Sequence, residues 1–410
     1  MTVNEPNKEI LFVCGSYWPV VGGGERHAED LSAALSRKGW PIRVVTRRND
    51  PSWKVNEEKN GVPITRLGPS GSARWNKYLL GMHLARYIHE RKGDIGLIYV
   101  AGFRTMGFSV VRAAHKYGIP VVLRAEACGE MSGEYIWKSP HADKKRPFLR
   151  MVATPFIKLR NRTLRKADCF LAIAEVIDNE FAAENVSSDR RCIIPNGIDF
   201  QKFSPVDENL KRSLRKSLKL PQNGYLFSYA GKLNRGKGLE VLLRAFAQVA
   251  KKHDDVYLVL IGSGGGMFLG CEDELRKNTK ESNLGDRISF TGYVENVEDY
   301  LRASDAFVFP SEMEAFGLAP IEAAACGLPL ISTKAGALAE TMREGETAKT
   351  FPVGGEDELS NAMESTMLKK RESAQLAQNA YREFRKTYSM DTVAEKHASL
   401  FQSLISRNAG

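Results

Sequence analysis

Glu314 and Glu322 stand eight residues apart in the segment Glu-Ala-Phe-Gly-Leu-Ala-Pro-Ile-Glu. An apolar run, 306–310, precedes the segment, and a second apolar stretch, 321–326, closes it. This pattern predicts a strand, a tight turn and a helix, with one carboxylate before the turn and one on the helix's first turn. Phe316, Gly317 and Leu318 fall in the turn. Their backbone N–H groups are placed to face a ligand, because the start of a helix has unpaired N–H groups and the positive end of the helix dipole. Pro320 suits a helix start, where its missing N–H costs nothing. A ligand with a diphosphate in the middle and hydroxyls at both ends fits such a site.

A second segment, Gly231-Lys-Leu-Asn-Arg-Gly-Lys-Gly238, is rich in glycine and cations. Gly231 to Lys237 spells the first part of an ATP-binding phosphate loop, but that loop needs Ser or Thr next to hold magnesium. The next residue is Gly238, which argues against ATP hydrolysis. A third glycine run, Gly22-Gly23-Gly24, lies between a strand and a helix and is expected to face a phosphate or an acceptor. The run 262–266 follows another strand but lacks the dinucleotide spacing, so it gives no evidence for NAD.

The elements that must hold these residues alternate along the chain. Apolar runs at 10–14, 42–46, 97–100, 120–123, 170–173 and 191–194 read as strands. Helices are expected at 25–38 and 78–91. Residues 201–223 are charged, contain Pro205 and Pro221, and read as a linker. Beyond it, strands are expected at 225–230, 256–261, 288–291, 306–309 and 329–332, and helices at 239–252, 272–282, 297–303 and 320–326. Two helical stretches, 357–384 and 392–406, close the chain. Such alternation implies α/β architecture with parallel sheets covered on both faces. Ligands bind such sheets beyond the carboxyl ends of the strands.

With 410 residues, two to three domains are expected. The six cysteines are scattered, without a Cys-x-x-Cys, and read as free thiols. No apolar run reaches the roughly 18 residues of a membrane span, and the N-terminus does not resemble a signal peptide, so a cytoplasmic protein is expected. Net charge is +10, from 59 Lys and Arg against 49 Asp and Glu. Nucleotide diphosphates and anionic lipid both suit that balance. Nucleic acid does not, since no binding signature accompanies the charge. Residues 144–166 are basic, free of acidic residues and interleaved with Phe148, Leu149, Val152, Phe156 and Ile157. This stretch reads either as a helix lying on an anionic membrane surface or as a packed helix pair with a solvated basic face.

Taken together and in this order, the glycine run at 22–24, Ile194-Pro-Asn-Gly-Ile-Asp199, the segment 231–238 and the paired glutamates resemble the retaining glycosyltransferases of the GT-B fold, family 4. The resemblance implies two doubly wound Rossmann-like domains with an interdomain cleft. An acceptor-side domain would cover residues 1–200, a linker 201–223 and a donor-side domain 224–388. A last helix within 389–410 would cross back to the first domain.

The resemblance also implies roles. Lys232 and Lys237 would hold the donor diphosphate and stabilise the leaving nucleotide, with Arg235 as a further cation. Glu314 would sit by the donor sugar, and Glu322 would hold the ribose hydroxyls. Ala315, Phe316, Gly317 and Leu318 would line the diphosphate, Val294 the base, and Gly23 and Gly24 the donor from the other domain. Many relatives carry a histidine where this chain has Glu126, which accepts hydrogen bonds from hydroxyls but donates none to phosphate. No Asp-x-Asp pair is present, in keeping with a metal-free reaction that needs no cofactor beyond a UDP- or GDP-linked sugar. The expected acceptor is a glycan or a lipid-linked glycan, built on the cytoplasmic face of the membrane for cell-surface polysaccharide. A cytosolic transferase making a small soluble glycoside and a non-catalytic sugar-nucleotide binder are the alternatives.

Overall fold

The computed structural model describes residues 8–20, 22–71, 76–134, 146–265 and 269–409. Residues 1–7, 144, 145 and 266, on which expectations were placed above, lie outside the described residues. The chain divides into two units. One comprises Met1–Gly197 with Met390–Gly410, and the other Ile198–Ser389.

The first unit runs β1 (Glu9–Cys14), α1 (Gly23–Arg37), β2 (Ile42–Arg47), β3 (Asn56–Lys59), β4 (Val62–Leu67), α2 (Asn76–Glu90), β5 (Ile95–Ala101), α3 (Gly107–Lys116), β6 (Val121–Arg124), α4 (Arg146–Leu164), β7 (Cys169–Ala172), α5 (Glu175–Ala183) and β8 (Arg191–Ile193). Its sheet order is β3-β4-β2-β1-β5-β6-β7-β8, parallel except for the β3–β4 hairpin. β1 is central and buried almost throughout, as a continuous apolar run requires when helices cover both faces. β3 is missing from the sequence reading because its residues, Asn-Glu-Glu-Lys, are polar and make a charged edge. The signal that could have found it is the turn Asn60-Gly61, where both residues have positive φ (53° and 76°).

The second unit runs α6 (Glu208–Ser217), β9 (Tyr225–Ala230), α7 (Leu239–Lys252), β10 (Val256–Ile261), α8 (Glu272–Glu281), β11 (Ile288–Gly292), α9 (Val297–Ala303), β12 (Ala306–Phe309), α10 (Leu318–Ala325), β13 (Leu330–Ser332), α11 (Leu338–Thr341), β14 (Lys349–Thr350), α12 (Glu356–Leu368) and α13 (Lys370–Tyr388). The sheet order is β11-β10-β9-β12-β13-β14, all parallel. α7 shows how sequence sets such a helix: Leu239, Leu242, Leu243, Phe246 and Val249 form one buried face, and Lys251 and Lys252 complement the dipole at its end.

Two expectations need correction. The stretch 201–223 is not bare linker, since α6 lies within it. Asp305 at the start of β12 accepts from Lys211 Nζ (2.6 Å), Arg215 Nη2 (2.6 Å) and Leu226 N (2.7 Å), which ties α6 to the sheet. The stretch 357–384 is two helices, broken at Lys369.

α14 (Met390–Ala409) belongs to the first unit. His397 Nδ1 lies 2.8 Å from Val393 O and Nε2 lies 3.0 Å from Tyr99 Oη. The ring therefore donates to the carbonyl and accepts from the phenol. Burial pushes the His397 pKa down to about 3, so the ring stays neutral. Phe401 packs edge-on against Tyr99 and Trp40. Elsewhere in this unit Phe103, Phe170 and Phe181 form a buried aromatic cluster. Phe181→Ala is expected to destabilise the first unit by about 3–5 kcal/mol. Urea unfolding followed by a probe in that unit checks this.

Candidate active site

In the second unit, four loops converge beyond the carboxyl ends of the strands. They follow β9 (231–238), β10 (262–264), β12 (310–317) and β13 (333–337). Glycines without room for a side chain allow the approach. A methyl on Gly238 (φ +66°) would collide with Pro310 O, one on Gly262 (φ +131°) with Gly231 O, and one on Gly336 (φ +59°) with Glu314 O. Positive φ at each of these positions also favours glycine. Glu312 N donates to Gly236 O (3.0 Å), Ala337 N to Glu314 O (3.1 Å) and Thr333 Oγ1 to Ser311 O (2.6 Å), so the loops are bonded to one another.

This framework brings Lys237 and Glu314 together as an ion pair through Glu314 Oε1. Ser311 Oγ donates to the same oxygen (3.1 Å), and the Lys237 ammonium lies 6.0 Å from the Phe309 ring centroid. Gly317, at φ +86°, caps α10, and a methyl there would meet Leu338 at 2.6 Å. Leu318 is the first residue of α10. The helix therefore starts two residues before the expected 320, and Glu322 sits in its second turn, not its first. Charge–dipole stabilisation falls off within the first turn. Glu322, half-buried, is thus poorly placed for a purely dipolar role. Phe316 is buried edge-on against Tyr388, with ring centroids 5.7 Å apart, so the turn presents its backbone and not this ring. Ala315 and Leu318 are half-buried.

Lys232 is exposed, and among the described residues it has no acidic partner. Its carbonyl accepts from Tyr229 Oη (3.1 Å). Arg235, expected as a further cation for the site, instead pairs with Glu274 on α8 (3.0 Å). Val294 lies two residues beyond β11 and is half-buried. Ser311, Tyr229 and Gly336 support the site and escaped the sequence reading. Gly336 alone had a signal, as a glycine just past a strand.

In the first unit, Gly23 and Gly24 open α1 after an extended Gly22. The Glu25 carboxylate folds back on Gly22. A methyl on Gly24 would lie 3.8 Å from the Glu126 carboxylate, and one on Gly102 would lie 3.0 Å from Glu126 Oε2. The positive end of α1 is thus already facing internal anions. Arg124 Nη1 donates to Glu126 Oε1 (3.0 Å), and Nη2 donates to Asn196 Oδ1. Arg124 is only 2% exposed. His27, in α1, is also buried and bonds Gly197 O through Nδ1 (3.3 Å).

Glu130 braces the Glu126 loop. Its Oε1 accepts from Glu126 N (2.9 Å) and its Oε2 from Arg104 N (3.1 Å). Complete burial raises the Glu130 pKa from 4.5 to about 7, against the lowering effect of those N–H groups.

The fold and the two sets of residues define a class, the GT-B glycosyltransferases, whose two units are both built on parallel sheets. Family profiles place the chain within it: that described as Glycosyltransferase Family 4 matches residues 21–202, and that described as Glycosyl transferases group 1 matches residues 211–383. The chain belongs to the family-4, group-1 glycosyltransferases of the GT-B fold. It is 25% identical to mannosylfructose-phosphate synthase of Agrobacterium fabrum over 346 residues, covering 80% of this chain and 74% of that one. It is 27% identical to the lipopolysaccharide core biosynthesis mannosyltransferase LpsB of Rhizobium meliloti over 215 residues, covering 52% of this chain but 61% of that protein's length. Among solved structures, sucrose-phosphate synthase from Thermosynechococcus elongatus superposes with TM-score 0.80 at 22% identity, covering 97% of this chain and all of that one. Anabaena HepE in complex with UDP superposes with TM-score 0.76 at 20% identity over the same shares.

Glu130 gives this loop a pH signature. Its folded pKa, about 7, exceeds the unfolded 4.5. The folded state therefore keeps a proton that the unfolded state releases, and stability falls as pH rises from about 4.5 through 7. Relative to Glu130→Gln, the wild type is expected to lose about 1–3 kcal/mol across that window. Thermal melts of both proteins at pH 5 to 8 measure the difference in slope.

Proposed function

We propose that the protein transfers a sugar from a nucleotide-diphosphate sugar to an acceptor hydroxyl, with retention at the anomeric carbon and without a metal ion. The observation that carries this reading is the Lys237–Glu314 pair beside the amino end of α10. The ammonium and the first N–H groups of the helix offer positive charge to a diphosphate, while the carboxylate offers hydrogen-bond acceptance to a sugar. Before the donor binds, the two side chains neutralise each other. On binding, the diphosphate takes over Lys237, and Glu314 turns to the sugar hydroxyls or to the positive charge developing at the anomeric carbon. The bond from that carbon to the diphosphate breaks, and its electrons stay with the phosphate oxygen. The acceptor oxygen bonds the same face, and its proton passes to the departing diphosphate. Preorganised positive charge at a leaving group is usually the largest catalytic contribution. Glu322 would hold the ribose, and Lys232 would add a second cation on the diphosphate.

The neighbours agree with a nucleotide-sugar donor. HepE is described in complexes with UDP and with UDP-glucose, and LpsB acts in lipopolysaccharide core biosynthesis. Those names support a role in building cell-surface glycan. A measurement of melting temperature with UDP, GDP or ADP, each with and without magnesium, tests the donor class. A nucleotide at 100 times its dissociation constant stabilises the fold by about 2.7 kcal/mol. One of the three is expected to do so without metal. Lys237→Ala and Glu314→Ala are each expected to lower turnover roughly 100-fold or more with the fold retained. Wild-type rates in both variants would remove the site assignment. Stabilisation without turnover by any donor would leave a sugar-nucleotide binder.

We infer further that α4 rests on an anionic membrane surface. Its inner side buries Ile157, Asn161 and Leu164. Its outer side exposes Met151 (66%), Phe156 (72%) and Leu159 (64%) beside the exposed Lys158, Arg162 and Lys166. Apolar side chains facing outward among cations suit the boundary between lipid headgroups and acyl chains. Among the described residues no helix is long and apolar enough to cross a membrane. In flotation with vesicles rich in anionic phospholipid, the protein is expected to rise with the lipid. Phe156→Ser with Leu159→Ser is expected to leave it at the bottom with turnover on a soluble acceptor intact. Equal binding by the double variant would overturn this reading.

A further inference from the structure

Cys169 and Cys192, 23 residues apart, meet across the last two strands of the first unit, with Sγ···Sγ 3.3 Å. β7 and β8 pair in the register Leu171 with Cys192, and Cys169 stands two residues before Leu171, hence on the same face. Cys169 is buried, whereas Cys192 is partly accessible. The contact between the two thiols holds Cys192 below its ordinary pKa and, with burial, pushes Cys169 up. The two thiols thus divide the roles of exchange chemistry. Cys192 is the thiol an outside reagent meets first, and Cys169 is the protected partner that resolves it. A disulfide requires the sulfurs at about 2.05 Å, roughly 1.3 Å closer than they lie here. β8 can supply that movement, being three residues long, at the sheet edge and, among the described residues, bonded to β7 alone.

The movement does not stay local. Four residues after Cys192, Asn196 Oδ1 accepts from Arg124 Nη2, whose Nη1 holds Glu126. Ile194 N bonds Ala172 O (3.0 Å), the tie that a shift of β8 must strain on its way to Asn196. Buried Arg124 has no solvent to replace Asn196 if that oxygen shifts.

We propose that Cys169 and Cys192 form a reversible thiol–disulfide switch that acts through Asn196 and Arg124 on the position of Glu126. The oxidant is a small-molecule disulfide. The Cys192 thiolate attacks one of its sulfurs and releases the other half as a thiolate. Cys169 then gives up its proton to solvent and attacks Cys192 Sγ, releasing the second half. Two protein thiols are oxidised and one disulfide is reduced to two thiols. The effect on turnover rests on the function proposed above, but disulfide formation does not.

The test uses the full chain carrying Cys128→Ser, which removes the exposed cysteine, treated with oxidised glutathione. Intact mass is expected to fall by two hydrogens, with a cross-linked peptide joining residues 169 and 192, and dithiothreitol is expected to reverse both. Cys192→Ser is expected to show neither. Transfer activity is expected to fall roughly 5-fold or more on oxidation, and not in Cys192→Ser. Thiols that stay free, or a glutathione adduct that persists on Cys192, overturn the switch. Closure with unchanged activity overturns its coupling to Glu126. A reduced protein with no turnover counts against the proposed function, and the mass readout still decides whether the switch exists.

Discussion

The ion pair between Lys237 and Glu314 is the contact on which the second unit's candidate site depends. The two residues are 77 apart in sequence and belong to loops after different strands. A partly buried pair of this kind is stable only if its surroundings supply further hydrogen bonds and fix its geometry. Ser311 supplies one bond, and Gly238, Gly262 and Gly336 let the backbones close to contact. Seen this way, the glycines are the means by which two charges are held at one place, ready to exchange each other for the two ends of a ligand.

The first unit solves a different electrostatic problem. Its glycine run opens a helix, as an anion site requires, yet the anions there are Glu25 and Glu126 of the chain itself. Arg124 neutralises Glu126, and Asn196, in the final stretch of the unit's first segment, anchors Arg124. Glu130 lies beneath the same loop and accepts two backbone N–H groups, which favour its charge, while its complete burial opposes that charge. Glu126 and Glu130 are each held by donors that other parts of the same unit position.

How much of this could be read from sequence follows from the range of the forces involved. Buried parallel strands such as β1, β5, β9 and β12 announce themselves because burial on both faces demands a continuous apolar run. The charged edge strand β3, of which little is buried, and the two-residue β14, which is Lys-Thr with no apolar residue, do not. Helix α6 was hidden by its polar sequence and flanking prolines. Its place is fixed by Asp305, nearly a hundred residues away. Among site residues, Glu314, Lys237 and Gly317 were legible from type and spacing. That Arg235 turns to Glu274, that Glu322 falls in the second turn of α10, and that Gly24 meets a carboxylate all depend on tertiary contacts that local pattern does not encode.

The placement of α14 has a consequence for the order in which the chain matures. The second unit is one unbroken stretch, Ile198–Ser389, whereas the first needs Met390–Gly410 to cover Tyr99 and Trp40. During synthesis, which proceeds from the amino end, domains generally fold as units as they emerge. Here the unit made first is the one completed last. Its sheet must wait through the translation of nearly two hundred further residues before α14 is made to cover Tyr99 and Trp40.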